Sequence, residues 1–503
     1  MKLMAFFPWH DSSIAAFDGN KIKYLKTERD TGIKHNSFFN GWPPNPPVGS
    51  NEQLKVETCK RKLREACDKW NFTPDAIAFC GLSYCKDENT LWEIREPIFG
   101  FNVPTFCLDH HFAHALSCWP VCSNVDYSVI VDGVGDHRVT HKIIKNPQTI
   151  EKAKVVFHSK SVSLAGMLKA IGISMGLTGM TIDYAGKIMG AQSYGKADPI
   201  HDLEIDLLEL VQRTVPKNDK FGSTIYNNWL ATMHQVGIDR IFNMFNKFCP
   251  PPNIVSFTGG CAQNTVLNSK LHSHYNGQFF VPPHCYDGGL TIGCIEFLRQ
   301  YYKQEELPKN NFPYWQDDIV EDKPTEKTID FVVQALCQNK IVGWFQGQGE
   351  IGPRALGNRS ILMNPTIVNG KDILNEQVKK REFWRPYAPS IIEEDCSEWF
   401  ECNVSRHMLR TIKTKNPEAV PSVIHIDNTS RVQTVSKQSN ELFYILLSKF
   451  KDKTGIPMLL NTSLNIGGQP IFSTKKQCVE MIGNTEIDMI CYGDSILTKP
   501  KQL

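Results

Sequence analysis

No Cys-x-x-Cys occurs among the sixteen cysteines of this 503-residue chain, and the tightest spacings are Cys118/Cys122 and Cys80/Cys85. Paired thiolate ligands of the zinc-ribbon type and thioredoxin-like redox motifs are therefore missing. Scattered cysteines in a large intracellular chain read as small buried hydrophobes with free thiols. No segment approaches the roughly 20 apolar residues that span a bilayer. The opening MKLMAFFPWHDSS lacks the form of a signal peptide, since its apolar stretch is short, contains Pro8 and runs at once into His10 and Asp11. An excess of either charge is absent too: the net charge of +2 gives no whole-molecule basic surface and counts against a partner held mainly through many phosphates. There is no low-complexity tract and no fixed-period repeat. A cytoplasmic protein without a membrane partner is expected.

What is present is an ordinary globular composition, 41% hydrophobic and 21% charged, on a chain too long for one core. Apolar runs at 4–7, 14–17 and 22–25, with Asp18-Gly19-Asn20 between the last two, predict a strand, a loop and then a hairpin. Further strands are expected at 126–132 and 254–258, each leading into a Gly-containing turn. Helical patterns cover 57–70 and 203–215. Strands alternating with helices make this an α/β protein. The polar segment 304–326, with three prolines and no periodicity, predicts a domain boundary. Beyond it the pattern gives a helix at 328–338 and a strand at 341–345.

Two glycine motifs are set aside. Residues 190–196 fit the first seven positions of a P-loop, but Ala197 stands where the magnesium-binding hydroxyl belongs and no strand leads in. The run Gly347-Gln348-Gly349-Glu350-Ile351-Gly352 fits a dinucleotide fingerprint and follows a strand. Pro353-Arg354 comes next where a helix should open, so a glycine-rich turn is the better reading.

The most pointed chemistry in the first half is DHHFAH at 109–114. On a helix, His110 and His114 share a face and can aim at one metal ion, while His111 points elsewhere. Asp132, at the end of a strand, and Asp287, in Tyr286-Asp287-Gly288-Gly289, are candidate carboxylates. Two histidines with one or two carboxylates suit iron(II), zinc or manganese. Surface histidines are the bland alternative, and a zinc site using Cys118 and Cys122 is a weaker competitor.

Together these blocks resemble the O-carbamoyltransferase family of nodulation-factor and antibiotic carbamoyltransferases. The likeness runs from His10-Asp11-Ser12-Ser13 to the last strand near Asp488. It includes HHFAH (110–114), VDGVG (131–135), GKIMGAQSYG (186–195) and GGCAQN (259–264). It continues through IGPRALGNRSIL (351–362), REFWRPYAP (381–389), HIDNTSRVQTV (425–435) and LNTSLNIGGQPI (460–471). The resemblance implies an actin-like (ASKHA) domain over 1–315, shared with the tRNA threonylcarbamoyl-transfer enzymes. It implies a YrdC-like α/β domain over 325–503 that forms carbamoyl adenylate. His110, His114, Asp132 and Asp287 would hold the metal, with iron first in order. Lys379, Arg381, His10 and Asp11 would be catalytic, the Lys-x-Arg pair joined by the Ser463/Asn465 signature. Nucleotide and carbamoyl phosphate would be bound by Lys187, Gly190, Gly259, Gly260, Asn264, Arg354, Arg359, Ser360, Arg385, Arg431, Asn461, Ser463 and Asn465. One departure is Gln348, where the family often carries Arg.

The implied reaction has two steps. Carbamoyl phosphate and ATP, with magnesium, give carbamoyl adenylate in the second domain. The carbamoyl group then passes to an acceptor hydroxyl in the first, with His10 as general base. The acceptor is a small molecule or nucleoside. The rival readings are an enzyme carbamoylating hydroxymethylated pyrimidines in DNA, which for a viral chain would work in host cytoplasm, and a plain His-based metallohydrolase. A tRNA threonylcarbamoyl-type enzyme and a non-catalytic ATP-binding regulator rank below these. A homodimer is an open expectation.

Overall fold

The computed structural model describes residues 1–39, 52–200 and 205–499. The alternating N-terminal runs form an antiparallel meander of β1 (Leu3–Phe7), β2 (Ser13–Phe17) and β3 (Ile22–Lys26). In its second turn the Asp18 carboxylate accepts from the Asn20 and Lys21 amides, and Gly19 takes a positive φ of 96°. Strands β4 (Ala76–Phe79) and β6 (Thr105–Leu108) extend the sheet in parallel from β1, and β5 (Trp92–Arg95) closes its edge. A second sheet repeats the plan. Here β7 (Tyr127–Val131), β8 (His141–Lys145) and β9 (Lys154–Ser159) form the meander, while β10 (Val255–Thr258) and β11 (Phe279–Phe280) add in parallel from β7. Two copies of one meander-plus-parallel layout, with helical crossovers, are the actin-like arrangement that the family resemblance implies.

Helices His110–Leu116 and Leu290–Tyr301 cross between the two sheets within a shared apolar core. A Cβ built on Gly293 would lie 1.9 Å from the Ala113 carbonyl oxygen, so the crossing needs glycine there.

The C-terminal half is a seven-stranded mixed sheet. Its strands are β12 (Val342–Phe345), β13 (Arg359–Met363), β14 (Ala388–Ile392), β17 (Gln433–Val435), β18 (Met458–Ser463), β19 (Met489–Tyr492) and β20 (Ser495–Thr498). A short ladder of β15 (Ile412–Lys413) and β16 (Thr429–Ser430) stands apart from it. Helices Glu326–Cys337 and Glu441–Thr454 share an apolar core with one face of the large sheet, and a second core fills the other.

Several expectations shift in detail. The helix at 57–70 begins earlier, as Glu52–Trp70, and that at 203–215 is Leu207–Thr214, residues 203 and 204 lying outside the described ones. The segment 304–326, the expected domain boundary, packs against both halves. Tyr314, Trp315 and Gln316 are buried, and Gln316 bridges to Tyr24. Asp317 pairs with Lys69 at 2.9 Å and accepts from the Trp70 indole at 2.8 Å, while Val320 bridges to Gly347. The 190–196 run lies where helix Tyr184–Ala191 ends, and no phosphate loop forms. In the 347–352 turn the Glu350 carboxylate collects the amides of Leu356, Asn358 and Arg359, a self-contained loop with no helix behind it. No described helix is long and apolar enough to cross a membrane.

Candidate active site

Asp109 caps helix His110–Leu116 by accepting from the Phe112 amide, and its other oxygen receives the buried Lys142 ammonium at 2.8 Å. The helix therefore starts in a fixed place and presents His110 and His114 along one face. The Nε2 atoms of these residues lie 3.2 and 3.0 Å from Asp132 Oδ2, and His114 Nε2 lies 3.3 Å from Asp287 Oδ1. One donor atom from each of the four residues falls within 4.8 Å of the others. The sequence-predicted quartet is thus brought together, and Cys118 and Cys122 are not part of it. Among the described cysteines, thirteen are buried and all are free.

The Gly259-Gly260 turn serves this quartet. Gly259, at φ 87°, packs on the Val131 backbone, where a Cβ would sit 2.4 Å from a carbonyl oxygen. Asp132 Oδ1 accepts from the amides of Gly133 and Gly260. Burial alone would lower the His110 pKa, but Asp287 and Asp132 raise it to about 10. Burial opposes ionisation of Asp132, yet bonds from His110 and His114 hold its carboxyl well below the usual range. His111 is fully buried beside Gly135, and burial first, then His110, pushes its pKa well down.

A run of polar groups leads away from the quartet. His10 Nε2 lies 3.3 Å from Asp287 Oδ2, and its Nδ1 lies 3.1 Å from Asp11. Asp11, at φ 57°, also receives Lys26 at 2.9 Å and His35 at 3.0 Å. His35 continues to Asp183 at 3.2 Å, which Lys34 reaches at 2.5 Å. Asp11, Glu28 and His35 cluster closely enough to suggest a second cation site, but the Lys26 ammonium bridges Asp11 and Glu28 and supplies the positive charge itself. Lys26, His35 and Asp183 escaped the sequence reading. Lys26 ends a buried strand, and a charge in such a position was the available signal.

The other centre is cationic. Lys379 ends a helix Leu374–Lys379 of π type, and its buried ammonium donates to the Ser463 and Asn465 carbonyls at 2.6 and 2.8 Å and to the Asn465 side chain. Arg381 stacks 4.5 Å over the Tyr387 ring and donates to Asn375 at 2.8 Å. Arg354, Arg385 and Arg431 line a cavity of about 60 Å³ between this half and helix Tyr184–Ala191. Burial first, then neighbouring arginines, pulls down the pKa values of Lys379, Arg385 (to about 10) and Arg431. The buried Nε atoms of Arg354 and Arg431 lack hydrogen-bond partners. Converging cations with spare donors, which outnumber the neighbouring Glu382 and Asp427, make an anion-binding site.

Some predicted residues stand elsewhere. Arg359 is a structural pillar, donating to Gln346, Gly347, Asn358 and Asp318 oxygens and stacking 3.7 Å over Phe345. Ser360 is buried on β13, paired in register with Ser463. Asn264 spends its side chain capping helix Thr265–His274 and contacting His234 at 2.9 Å. Asn461 donates to Ala355, Ser390 and Gln433 within the sheet. Lys187 and Gly190 face the 381–387 loop, Lys187 pairing with Glu382 at 2.7 Å. Gln348 turns to the Gln316 carbonyl, away from the cation cluster. Each of these is settled by a partner distant in sequence, which local pattern does not reveal.

Comparisons with known proteins align with this picture. The family model for the carbamoyltransferase C-terminus matches residues 333–499. Nodulation protein NolNO of Sinorhizobium fredii is 29% identical over 78% of this chain, which spans 64% of that relative's length. The 3'-hydroxymethylcephem-O-carbamoyltransferase of Amycolatopsis lactamdurans is 26% identical over 98% of this chain and 99% of its own. Full-length HypF, in its phosphate- and nucleotide-bound form, has a TM-score of 0.40 at 13% identity over 61% of this chain and 56% of that one, too remote to inform the site.

Proposed function

We propose that the chain is an O-carbamoyltransferase, like the relatives it resembles, and that it makes carbamoyl adenylate and hands the carbamoyl group to an acceptor hydroxyl. The observation that carries this reading is the pairing of two different centres: a buried cation cluster in one half and a His/Asp quartet beside His10 in the other.

In the first step water takes the phosphoryl group of carbamoyl phosphate, leaving inorganic phosphate and carbamate, and a carbamate oxygen then attacks the α-phosphorus of ATP, expelling pyrophosphate. Both substrates are polyanions. Arg354, Arg381, Arg385 and Arg431 would bind and orient them, and Lys379, held by Ser463 and Asn465, would stabilise the charge developing in transfer. In the second step the acceptor oxygen attacks the carbamoyl carbon and AMP leaves. His10, held between Asp11 and Asp287, is the group to take the hydroxyl proton once it is neutral and its Nε2 has turned from Asp287 to the acceptor.

The quartet fits a metal by its chemistry: two imidazoles and two carboxylates converge, and His110 and His114 point Nε2 at a shared carboxylate oxygen. Iron(II), zinc or manganese bound by His110, His114, Asp132 and Asp287 would supply Lewis acidity toward a carbonyl or phosphoryl oxygen. The acceptor is a small molecule bearing a hydroxyl, as the cephem relative's name indicates for that enzyme.

The test is release of AMP and pyrophosphate from ATP, with and without carbamoyl phosphate, by wild type and Lys379→Ala, with adenylate sought by mass spectrometry. Turnover that depends on carbamoyl phosphate and disappears in the variant is expected. Turnover indifferent to carbamoyl phosphate, or unaffected by Lys379→Ala, would sink the reading.

A further inference from the structure

Helix Tyr184–Ala191 meets the loop that carries Arg381 and Arg385 through contacts the proposed chemistry does not use. Lys187 pairs with Glu382 at 2.7 Å, and the Trp384 indole N–H donates to the Lys187 carbonyl at 3.2 Å. His425 Nε2 donates to the Gly190 carbonyl at 2.9 Å. A Cβ on Gly190 would come within 3.3 Å of Pro386 and 3.6 Å of the Trp384 carbonyl oxygen. Phe221 packs on Trp384 at 4.9 Å, and Tyr194 packs near both Phe383 and His425. Arg385 stands between Trp384 and Pro386 in this loop and lines the cavity, with Gly186 and Gly190 of the helix on the facing wall. The backbone of one half thus fixes where an arginine of the other half stands.

We propose that these contacts form a clasp, with Glu382, Trp384 and His425 as positioning residues, which closes the arginine-lined cavity against helix Tyr184–Ala191 and keeps water off carbamoyl adenylate. This rests on the two-step function proposed above. The threat is specific. Water oxygen would bond to the carbamoyl carbon while the bond from that carbon to the AMP phosphate oxygen breaks. AMP would leave with the electron pair, and the carbamic acid would fall to ammonia and carbon dioxide. An aromatic lid gripping main-chain carbonyls, braced by one ion pair, suits a seal that must open and reclose for the passage of a small molecule.

The experiment uses the full chain with ATP and carbamoyl phosphate and no acceptor. Bound adenylate is captured by rapid quench and mass spectrometry, and steady AMP release is followed alongside. Trp384→Ala and His425→Ala should raise AMP release per bound adenylate about tenfold, a barrier change of about 1.4 kcal/mol, while first-turnover adenylate yield holds. Lys187→Met should give a smaller leak without disturbing packing. His425→Gln, which keeps a donor, should restore retention. Unchanged leakage in Trp384→Ala, His425→Ala and Lys187→Met would overturn the clasp, as would adenylate yield and AMP release falling together with thermal stability, the mark of a merely structural contact. Wild type making no adenylate from carbamoyl phosphate would instead remove the underlying function, and the clasp with it.

Discussion

Arg359 and Arg431 put one side chain into opposite circumstances. The first has five oxygen acceptors and an aromatic face, whereas the second is buried among other arginines, so that burial and then their charges pull its pKa well down. Removing Arg359 strands buried acceptors, Asp318 among them, so Arg359→Ala should lose about 3–5 kcal/mol in denaturant unfolding. Arg431→Ala relieves repulsion and should leave stability level or improved while weakening carbamoyl phosphate binding, measured by calorimetric titration. Equal stability losses in both would show the contrast to be false. His35 gives a pH prediction. Burial would lower its pKa, but Asp11 and its hydrogen bonds raise it from 6.5 to about 9. A raised folded pKa means stability that is full below about pH 6.5 and is lost as pH climbs through about 9. Wild type should lose up to roughly 3 kcal/mol across that window, a loss that urea melts should find largely missing in His35→Gln. His110, His114, Asp132, Asp287 and Lys379 were legible because their spacing and type are local or match ordered motifs. Arg359 and Asn264 were not, since the same motif residues have long-range partners that only folding supplies.

At the scale of elements, the histidine helix is held by its crossing with Leu290–Tyr301, whose own N-terminal turn carries Asp287. Gly293→Ala puts a methyl where 1.9 Å separates it from the Ala113 oxygen, so the helices must part. Overpacking of this kind costs about 1–3 kcal/mol or more. The expected result is a lower melting temperature together with reduced bound metal by elemental analysis; a destabilised variant with full metal content would show that the crossing does not set ligand spacing. The strands beside Asp132 were readable from short apolar runs ending in Asp-Gly or Gly-Gly. The crossing was not, because Gly293 within an apolar helix carries no mark of what it approaches.

For the molecule as a whole, the sequence separated two halves at 304–326 by polarity and proline, while the structure ties that segment to both. Trp315 belongs to the core between the first two sheets, and the Arg359 guanidinium of the C-terminal half holds Asp318 at 3.0 Å. One cooperative transition is expected in calorimetry, and Asp317→Ala, which frees Lys69 and Trp70, should lower its midpoint without splitting it. Two resolved transitions in wild type would show the halves to be thermally independent.

The doubled sheet carries a consequence of its own. The turn after β1 delivers His10 and Asp11, and the turn after β7, its counterpart in the second copy, delivers Asp132. Equivalent corners of two repeats therefore face one another across Asp287, with His10 and Asp11 at one corner and Asp132 at the other. A symmetric scaffold thus carries a single lopsided centre, with different side chains at its two matching corners.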